Sequence, residues 1–352
     1  MWKKYWNTFL SRFAYHNRFI RPPNSPNLFA IETTSVCNLA CVMCPYPIME
    51  RPKEFMDEAL FKKIVDQWSH SSYLVRLHNL GEPLLDKRIA SLINYAASRG
   101  VRAEISTNCT ALTETRGREI LGSRLFQIIL SLDGASKTTY EHIRKRAEFD
   151  RVVANIHAFL KIKEEINSPV RVVLQIILMN ETVSEVDNFI RQWHSYRDKG
   201  IVNELRIKRF STWANQVQKI SQLADNKLRY YPQQESQRVP CRYLWESVVV
   251  LQDGRVVPCC FDYEGKLALG DLNKQTLQEI WQGEPLRQLR QSHLEGKFDN
   301  ELCRSCSEYP RSTFQMFYPF NRAGARSLWT WIQILLGKKQ IIENIPVDVT
   351  PP

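Results

Sequence analysis

The stretch Cys37-Asn-Leu-Ala-Cys41-Val-Met-Cys44 places three cysteines on one short loop. It follows the segment Leu28-Phe-Ala-Ile-Glu-Thr33, whose apolar character predicts a β-strand. Three thiolates on one loop can hold three corners of a cubane iron–sulfur cluster, and such clusters normally take four cysteines. The stretch therefore predicts a cluster with one iron open to an external ligand. A zinc site or a group of buried thiols is the alternative.

The spacing C-x3-C-x2-C resembles the signature of the radical S-adenosylmethionine (radical SAM) superfamily. The resemblance implies that the open iron binds the amino and carboxylate groups of SAM. It also implies that SAM is cleaved to methionine and a 5′-deoxyadenosyl radical. The family usually has an aromatic residue just before the third cysteine, where this chain has Met43. A long apolar side chain can still pack beside adenine, so we expect Met43 to contact SAM.

Strands and helices alternate after this loop. The apolar patterns predict strands at Ala30–Thr33, Tyr73–Leu77, Arg102–Ser106, Phe126–Ser131, Val170–Leu178 and Glu204–Lys208. They predict helices at Asp57–Trp68, Asp86–Ser98, Thr113–Leu121, Lys137–Arg146, Phe149–Glu165 and Val183–Tyr196, with Asp57 and Thr113 as N-caps. Such units in series imply a parallel sheet with right-handed crossovers. We therefore expect an α/β fold built on a partial (β/α)6 TIM-like barrel.

Active sites of such barrels lie at the C-terminal ends of the strands, and the cysteine loop follows the first strand. The segment His78-Asn-Leu-Gly81-Glu82-Pro83 follows the second strand and resembles the Gly-Gly-Glu-Pro segment of the family, which contacts the amino group of SAM. Small polar residues follow the next two strands and can hydrogen-bond ribose hydroxyls and the methionyl carboxylate. The cofactor-binding residues expected from this resemblance are Met43, Gly81, Glu82, Pro83, Ser106, Asn108, Ser131 and Asp133.

A second set of cysteines lies in the C-terminal part of the chain. Cys241 precedes an apolar run, and Asp253-Gly254 between two β-branched runs predicts a hairpin that brings Cys259 back towards Cys241. A helix around Thr276–Gln282 follows, and then Cys303-Arg-Ser-Cys306. Four thiolates form a complete ligand set for a second cluster, and a structural zinc site is the alternative.

This arrangement resembles the auxiliary-cluster domain of many radical SAM enzymes, whose full form is called SPASM and whose shortened form is called twitch. No cysteine follows Cys306, which favours the one-cluster form. The expected cofactors are SAM, a SAM-binding 4Fe-4S cluster and an auxiliary 4Fe-4S cluster. The expected organisation is a basic aromatic segment (1–27), a radical SAM core (28–235), the twitch-like auxiliary domain (236–310) and a basic amphipathic tail (311–352).

Two clusters favour a two-electron oxidation or a radical rearrangement of a small polar substrate, such as a sugar-like alcohol, with the auxiliary cluster accepting an electron. Arg206 and Lys208, at the end of the sixth strand, are candidates for the proton acceptor or for binding an anionic group, and a solvated strand edge is the alternative. A flavodoxin or ferredoxin is the reductant that the resemblance implies. Other functions stay open: a peptide maturase that forms crosslinks, and a non-catalytic iron–sulfur carrier. Only about 27 residues precede the first strand, which argues against an N-terminal peptide-recognition domain.

The net charge of +11 is concentrated in the two terminal segments, so the nearly balanced body does not favour nucleic-acid binding. Residues 1–25 contain five basic residues and no acid, and aromatic residues recur there at helical spacing. Near the other end, Leu328-Trp-Thr-Trp-Ile-Gln-Ile-Leu-Leu336 precedes Lys338 and Lys339. Such segments either pack on the body or contact a membrane surface. No long apolar span or secretion signal is evident, and the grouped cysteines indicate a reducing compartment, so we expect a cytoplasmic protein with possible peripheral membrane contact.

Overall fold

The computed structural model describes residues 2–26, 28–68, 74–229 and 238–308. Its strands are β1 (Leu28–Ile31), β2 (Leu74–Arg76), β3 (Arg102–Thr107), β4 (Gln127–Ser131), β5 (Arg171–Ile177), β6 (Glu204–Lys208), β7 (Ser247–Val250), β8 (Arg255–Val257) and β9 (Gly270–Asp271). Its helices are α1 (Trp2–His16), α2 (Glu58–Trp68), α3 (Ile89–Ser98), α4 (Glu114–Gly122), α5 (Lys137–Ile143), α6 (Phe149–Glu165), α7 (Val186–Asp198), α8 (Gln218–Ser221), α9 (Tyr243–Glu246), α10 (Leu277–Trp281), α11 (Glu284–Leu294) and α12 (Glu301–Ser305).

These strands form one sheet in the order β6-β5-β4-β3-β2-β1-β7-β8-β9. From β1 to β6 each strand pairs in parallel with the next one along the chain. A helix follows each of these strands before the next begins, as right-handed crossovers require. The expected partial (β/α)6 barrel is confirmed.

The middle strands form the centre of the core. All five residues of β4 are buried, and β5 is buried except at its two ends. Strands of a parallel sheet are covered on both faces, which explains why the apolar run in β5 is nearly continuous. The barrel core is therefore rigid beneath the loops at the C-terminal ends of its strands.

The predicted helix starts are confirmed at both capping residues. The N–H of Leu60 donates to Asp57 Oδ1 over 2.9 Å, and the Thr113 side chain accepts from the N–H of Arg116. Three helix bounds differ from the prediction by three residues. Helix α3 begins at Ile89 and not at Asp86. A 3₁₀ turn at Val183–Glu185 precedes α7, and α5 ends at Ile143, since Arg144 leaves the helix for a buried ion pair.

The predicted hairpin at Asp253-Gly254 is confirmed. Strands β7 and β8 pair antiparallel, and Gly254 has a φ of +93°, which glycine adopts without strain. Strand β7 also pairs in parallel with β1, so this C-terminal segment continues the barrel sheet. The tail at 311–352 lies outside the described residues. Within the described ranges, no helix is both long enough and apolar enough to cross a bilayer.

Candidate active site

A cavity of about 520 Å³ opens on the inner face of the sheet. Residues at the C-terminal ends of β1 to β6 line it, as expected for a barrel of this kind. Both groups of cysteines reach it: the lining includes Cys37, Cys41, Cys44, Cys259 and Cys260. The fold thus brings together two cysteine groups that are about 200 residues apart in the sequence.

The first cysteine loop is held in place by its own neighbours. The hydroxyl of Tyr46 accepts a hydrogen bond from the N–H of Cys37 and donates one to its carbonyl oxygen, both over 2.9 Å. The N–H of Cys44 donates to the carbonyl oxygen of Cys41 over 3.1 Å. These bonds fix the backbone while the three side chains line the cavity.

Burial raises the pKa of the Cys37 thiol to about 11 and that of Cys44 to about 12, and the charges of the neighbouring cysteines add to both shifts. The charge of one thiolate can raise the pKa of another only when the two side chains lie close together. Iron cations would remove this penalty, because a coordinated thiol is deprotonated. In the described part of the chain, no three Cys, His, Asp or Glu side chains converge on a single metal ion. A cubane cluster needs no such convergence, since each cysteine ligates a different iron, and three thiols can hold three of its corners.

Arg144 is the charged side chain next to this group. Its Nη1 lies 4.0 Å from Cys41 Sγ, and its Nη2 donates to Asp133, whose other oxygen accepts from the N–H of Ile177 over 2.9 Å. Both partners of this ion pair are buried. A fixed cation beside a thiolate stabilises the negative charge that a cluster carries.

The second cysteine group also lies close together in the fold, since the charges of its members act on Cys259. Burial and then the charges of Cys260, Cys241, Cys306 and Cys303 raise the pKa of Cys259. The N–H of Glu308 donates to Cys306 Sγ over 3.3 Å. Cys260 lies beside this group, and the charges of Arg76 and Lys208 oppose the rise in its pKa that burial causes. Four thiols are a complete ligand set for one cluster, and the omission of Cys260 from that set stays a prediction.

Two family models match the chain at these two groups. The model of the radical SAM superfamily matches residues 31–192, and SPASM, an iron-sulfur cluster-binding domain, matches residues 241–307. The chain belongs to the radical SAM superfamily. It is a radical SAM enzyme whose cofactors are SAM, a 4Fe-4S cluster in the radical SAM domain and an auxiliary iron–sulfur cluster in the SPASM domain.

Individual relatives are distant. The S-adenosyl-L-methionine-dependent 2-deoxy-scyllo-inosamine dehydrogenase of Niallia circulans is 21% identical over 300 residues, which cover 83% of this chain and 96% of the relative. The structure of BtrN with AdoMet and 2-DOIA has a TM-score of 0.54 at 20% identity, covering 80% of this chain and 92% of that chain. Streptococcus suis SuiB bound to the precursor peptide SuiA has a TM-score of 0.60 at 13% identity, covering 85% and 73%. The solved structures show the shared fold.

The expected SAM contacts of this radical SAM enzyme divide into two sets. Met43, Gly81, Glu82, Ser106, Asn108 and Ser131 line the cavity. Pro83 and Asp133 are buried and are absent from its lining. Asp133 instead pairs with Arg144, and Pro83 begins a short 3₁₀ turn at Pro83–Leu85. We infer that these two residues hold the cavity-lining residues in place and do not themselves line the cavity.

Glu82 connects two loops of the site. Its Oε1 accepts from the hydroxyl of Thr107 over 2.7 Å and from the N–H of Leu84 over 3.0 Å, and its Oε2 accepts from the N–H of Asn108 over 2.7 Å. The side chain is 2% exposed. Glu82 thus holds the loop after β2 against the loop after β3, and Asn108 Nδ2 lies 3.9 Å from Cys37 Sγ.

The two candidates at the end of β6 have different surroundings. Arg206 is held by Glu204 through Nε–Oε1 and Nη2–Oε2 bonds of 2.8 and 3.1 Å. Lys208 lines the cavity, and its ammonium group has no hydrogen bond or ion pair to a described residue. Burial and then the charge of Arg76 lower the pKa of Lys208. Lys208 is therefore the group of the two that can lose and regain a proton.

The structure adds site residues that the sequence patterns do not identify. Arg76, His78, Gln175 and Trp213 all line the cavity. Gln175 is a polar residue within the apolar run of β5, and Arg76 is a charged residue within the short strand β2. The sequence pattern therefore weakly indicates both as site residues. Trp213 lies outside the regular strands and helices of the barrel, and no sequence pattern indicates it.

Proposed function

We propose that this radical SAM enzyme oxidises a secondary alcohol of a small, polar, sugar-like substrate to a ketone. When bound, SAM and its cluster supply a 5′-deoxyadenosyl radical, which takes a hydrogen atom from the substrate carbon. The protein would then accept a proton from the substrate, and a cluster held by Cys241, Cys259, Cys303 and Cys306 would accept an electron. Loss of the hydrogen atom, the proton and the electron converts a CH–OH group to C=O. A flavodoxin or ferredoxin is the proposed source of the first electron.

One observation carries this proposal: a single cavity contacts both cysteine groups. A substrate held in it lies between the centre where the radical forms and the centre that accepts an electron. The similarity to a dehydrogenase over 83% of the chain supports the same reaction type. Thioether-forming or carbon–carbon-forming peptide maturation remains the alternative, since the similarity to peptide-bound SuiB shows the fold alone.

The inner face of the sheet supports a hydroxyl-bearing substrate. Ser106 Oγ and Ser131 Oγ lie 3.2 Å apart on neighbouring strands, and both line the cavity. Arg76 Nε donates to Glu104 Oε1 over 3.2 Å deeper on the same face. These side chains have further donor and acceptor capacity, which substrate hydroxyl groups can use and an apolar substrate cannot.

Lys208 is the proposed proton acceptor. Its pKa is lowered by burial, which raises the fraction of neutral amine near neutral pH. The α-hydroxyl of a substrate radical is more acidic than an ordinary alcohol, so a neutral amine can accept its proton. Arg206 cannot act this way, because a guanidinium stays protonated and this one is paired with Glu204. We propose that Arg206 shapes the site next to Lys208.

The test uses anaerobically reconstituted full-length protein with SAM, dithionite and a panel of aminocyclitols and sugars that includes 2-deoxy-scyllo-inosamine. We expect 5′-deoxyadenosine together with a product two hydrogen atoms lighter than its substrate. Cys37→Ala is the control that removes a ligand of the SAM-binding cluster. If 5′-deoxyadenosine forms only with precursor peptides, the enzyme is a peptide maturase. If none forms with any substrate, the protein is an iron–sulfur carrier.

A separate variant tests the proposed role of Lys208 as the proton acceptor. We expect Lys208→Met to lower ketone formation by about 100-fold, since loss of a general base typically has that effect. Formation of 5′-deoxyadenosine should persist, because hydrogen abstraction precedes proton loss. Lys161→Met removes a lysine that is 77% exposed on α6 and should leave both products unchanged. An unchanged ketone yield in Lys208→Met would assign the proton to another acceptor.

A further inference from the structure

Helix α1 packs on the body through its small and polar side. Ser11 is 1% exposed and Ala14 is fully buried. The hydroxyl of Tyr15 donates to the carbonyl oxygen of Pro240 over 2.9 Å, and the Tyr15 ring meets Trp245 edge to face. These contacts fix which side of α1 faces outwards.

The outward side is aromatic. Trp6 is 61% exposed, Phe9 50% and Phe13 39%. Their rings stack in sequence, with centroids 5.2 Å and 6.0 Å apart, and Phe19 continues the row with an edge contact at 5.7 Å from Phe13. An ordinary surface helix buries its apolar side and exposes its polar one, so α1 has the reverse orientation. A contiguous exposed apolar patch of this kind marks an interaction surface.

The positive charge of residues 1–25 indicates which partner this aromatic surface binds. Residues 1–25 contain no Asp or Glu, and Arg12, Arg18 and Arg21 are exposed. The chain's own segment 311–352 also carries a net positive charge, so it would be repelled by this surface. A second copy would place two such basic surfaces face to face, because a twofold dimer pairs identical patches. An anionic bilayer complements both the charge and the aromatic rings.

We propose that α1, with Phe19 and Ile20 just after it, binds this radical SAM enzyme peripherally to an anionic lipid bilayer. The aromatic rings enter the boundary between headgroups and acyl chains, where amphipathic rings are favoured. The arginines lie at the level of the anionic headgroups, and each basic residue near such a surface strengthens binding. The helix stays docked on the body through Tyr15 and Ala14, so the whole enzyme follows it to the surface.

The experiment is co-sedimentation of the full-length reconstituted protein with vesicles at low and high salt. We compare pure phosphatidylcholine vesicles with vesicles of phosphatidylcholine and phosphatidylglycerol in a 7:3 ratio. We expect binding to the anionic vesicles alone, with a clear loss in 0.5 M salt, where the screening length falls to about 4 Å. The triple variant Trp6→Ser, Phe9→Ser, Phe13→Ser should bind at least about tenfold more weakly, because its buried apolar area is lost.

Matched variants separate the surface from general effects. Ile166→Ser and Val183→Ser replace apolar residues that are 46% and 45% exposed elsewhere, and they should bind as the wild type does. Arg18→Glu with Arg21→Glu should abolish binding, whereas Lys161→Glu with Lys274→Glu should retain it. All these substitutions are at exposed positions, so each variant should keep the wild-type melting temperature.

Three results would overturn the proposal. The first is equal binding of the wild type and the triple variant to anionic vesicles. The second is a dimer that the triple variant converts to monomer, together with an absence of vesicle binding, which would identify a second copy as the partner. The third is faster proteolysis within 309–352 in the triple variant without any vesicle binding, which would identify the chain's own tail as the cover.

Discussion

The indole N–H of Trp213 donates a hydrogen bond to the carbonyl oxygen of Met43, with 3.0 Å between Nε1 and O. Met43 lies between two ligands of the first cysteine loop, and the Trp213 ring meets Phe261 edge to face just after Cys259 and Cys260. Trp213, Ala214 and Asn215 have φ values of +53°, +60° and +57°. Three successive non-glycine residues in this region are strained, so the surrounding structure must enforce the turn. Trp213 is therefore a fixed connection between the two cysteine groups.

Trp213→Phe should test this connection, because phenylalanine retains a ring but has no N–H. We expect unfolding free energy to fall by about 1 kcal/mol, the usual value of one hydrogen bond. We also expect lower 5′-deoxyadenosine formation, since the Met43 carbonyl loses the bond that holds it. Chemical denaturation under anaerobic conditions and product quantification by mass spectrometry measure the two effects.

Trp193→Phe is the matched control. Trp193 is fully buried on α7, and its indole nitrogen has no hydrogen-bond partner among the described residues. This control should lose stability through the smaller ring while 5′-deoxyadenosine formation stays at the wild-type level. A Trp213→Phe enzyme with undiminished product formation would show that the connection has no part in the chemistry.

The buried pair of Asp133 and Arg144 leads to a second prediction. Asp133→Asn leaves the Arg144 guanidinium charged and buried without its partner, and loss of one member of such a pair costs about 3–5 kcal/mol. The double variant Asp133→Asn, Arg144→Met should recover part of this loss, since it removes the unpaired charge. Thermal unfolding of both variants distinguishes the pair from simple packing. A double variant that is less stable than Asp133→Asn alone would contradict this account.

The barrel could be predicted from the sequence because its signals are local. Strand β6 at Glu204–Lys208 and helix α6 at Phe149–Glu165 have the predicted bounds, since apolar periodicity specifies them within a few residues. The two cysteine groups could also be predicted from the sequence, because the spacing of the cysteines indicates their chemistry. The ends of helices differ from the prediction where tertiary contacts determine them. Arg144 lies outside α5, for example, because it pairs with Asp133.

The remaining features depend on contacts that no local pattern contains. Trp213 and Met43 are 170 positions apart, so their hydrogen bond could not be read from either segment. Helical spacing predicted that Trp6, Phe9 and Phe13 share one side of α1. The side that turns to the body depends on Tyr15 and its partner Pro240, and the usual rule would have placed the aromatic residues inwards.

His78 supports a prediction about pH and stability. Burial and then the charges of Arg76 and Lys208 lower the pKa of His78 to about 3, and its Nδ1 has no hydrogen-bond partner among the described residues. In the unfolded chain a histidine titrates near pH 6.5, so between about pH 6.5 and 3 the unfolded state binds a proton that the folded state does not. Stability contributed by neutral His78 is therefore complete above pH 6.5 and falls as the pH is lowered.

His78→Phe should reduce this acid sensitivity. Between pH 7.5 and 5.5 we expect the wild type to lose roughly 1 kcal/mol more unfolding free energy than the variant does. Anaerobic urea denaturation at the two pH values measures the difference. His194→Phe, at an exposed position on α7, should behave like the wild type. Equal losses in the wild type and His78→Phe would mean that His78 is already protonated in the folded protein.

Gly81 lies where the loop after β2 meets the segment that leads to the first cysteine. It has a φ of +82°, and a Cβ at this position would lie 2.3 Å from the carbonyl oxygen of Thr34. The next residue, Glu82, donates its N–H to the carbonyl oxygen of Val36 over 2.8 Å. Gly81→Ala must therefore separate two backbones that a hydrogen bond holds together.

Gly100 offers the matched comparison, because it has a φ of +75° and an added Cβ would meet nothing within 4 Å. Gly100→Ala should cost about 1 kcal/mol, the price of the left-handed backbone alone. Gly81→Ala should cost at least about 2 kcal/mol more, since the clash is with backbone and cannot be relieved by a rotamer change. The displaced cysteine loop should also bind less iron, measured per chain after anaerobic reconstitution. Equal stability and equal iron content in the two variants would show that the approach at Thr34 does not position the cysteines.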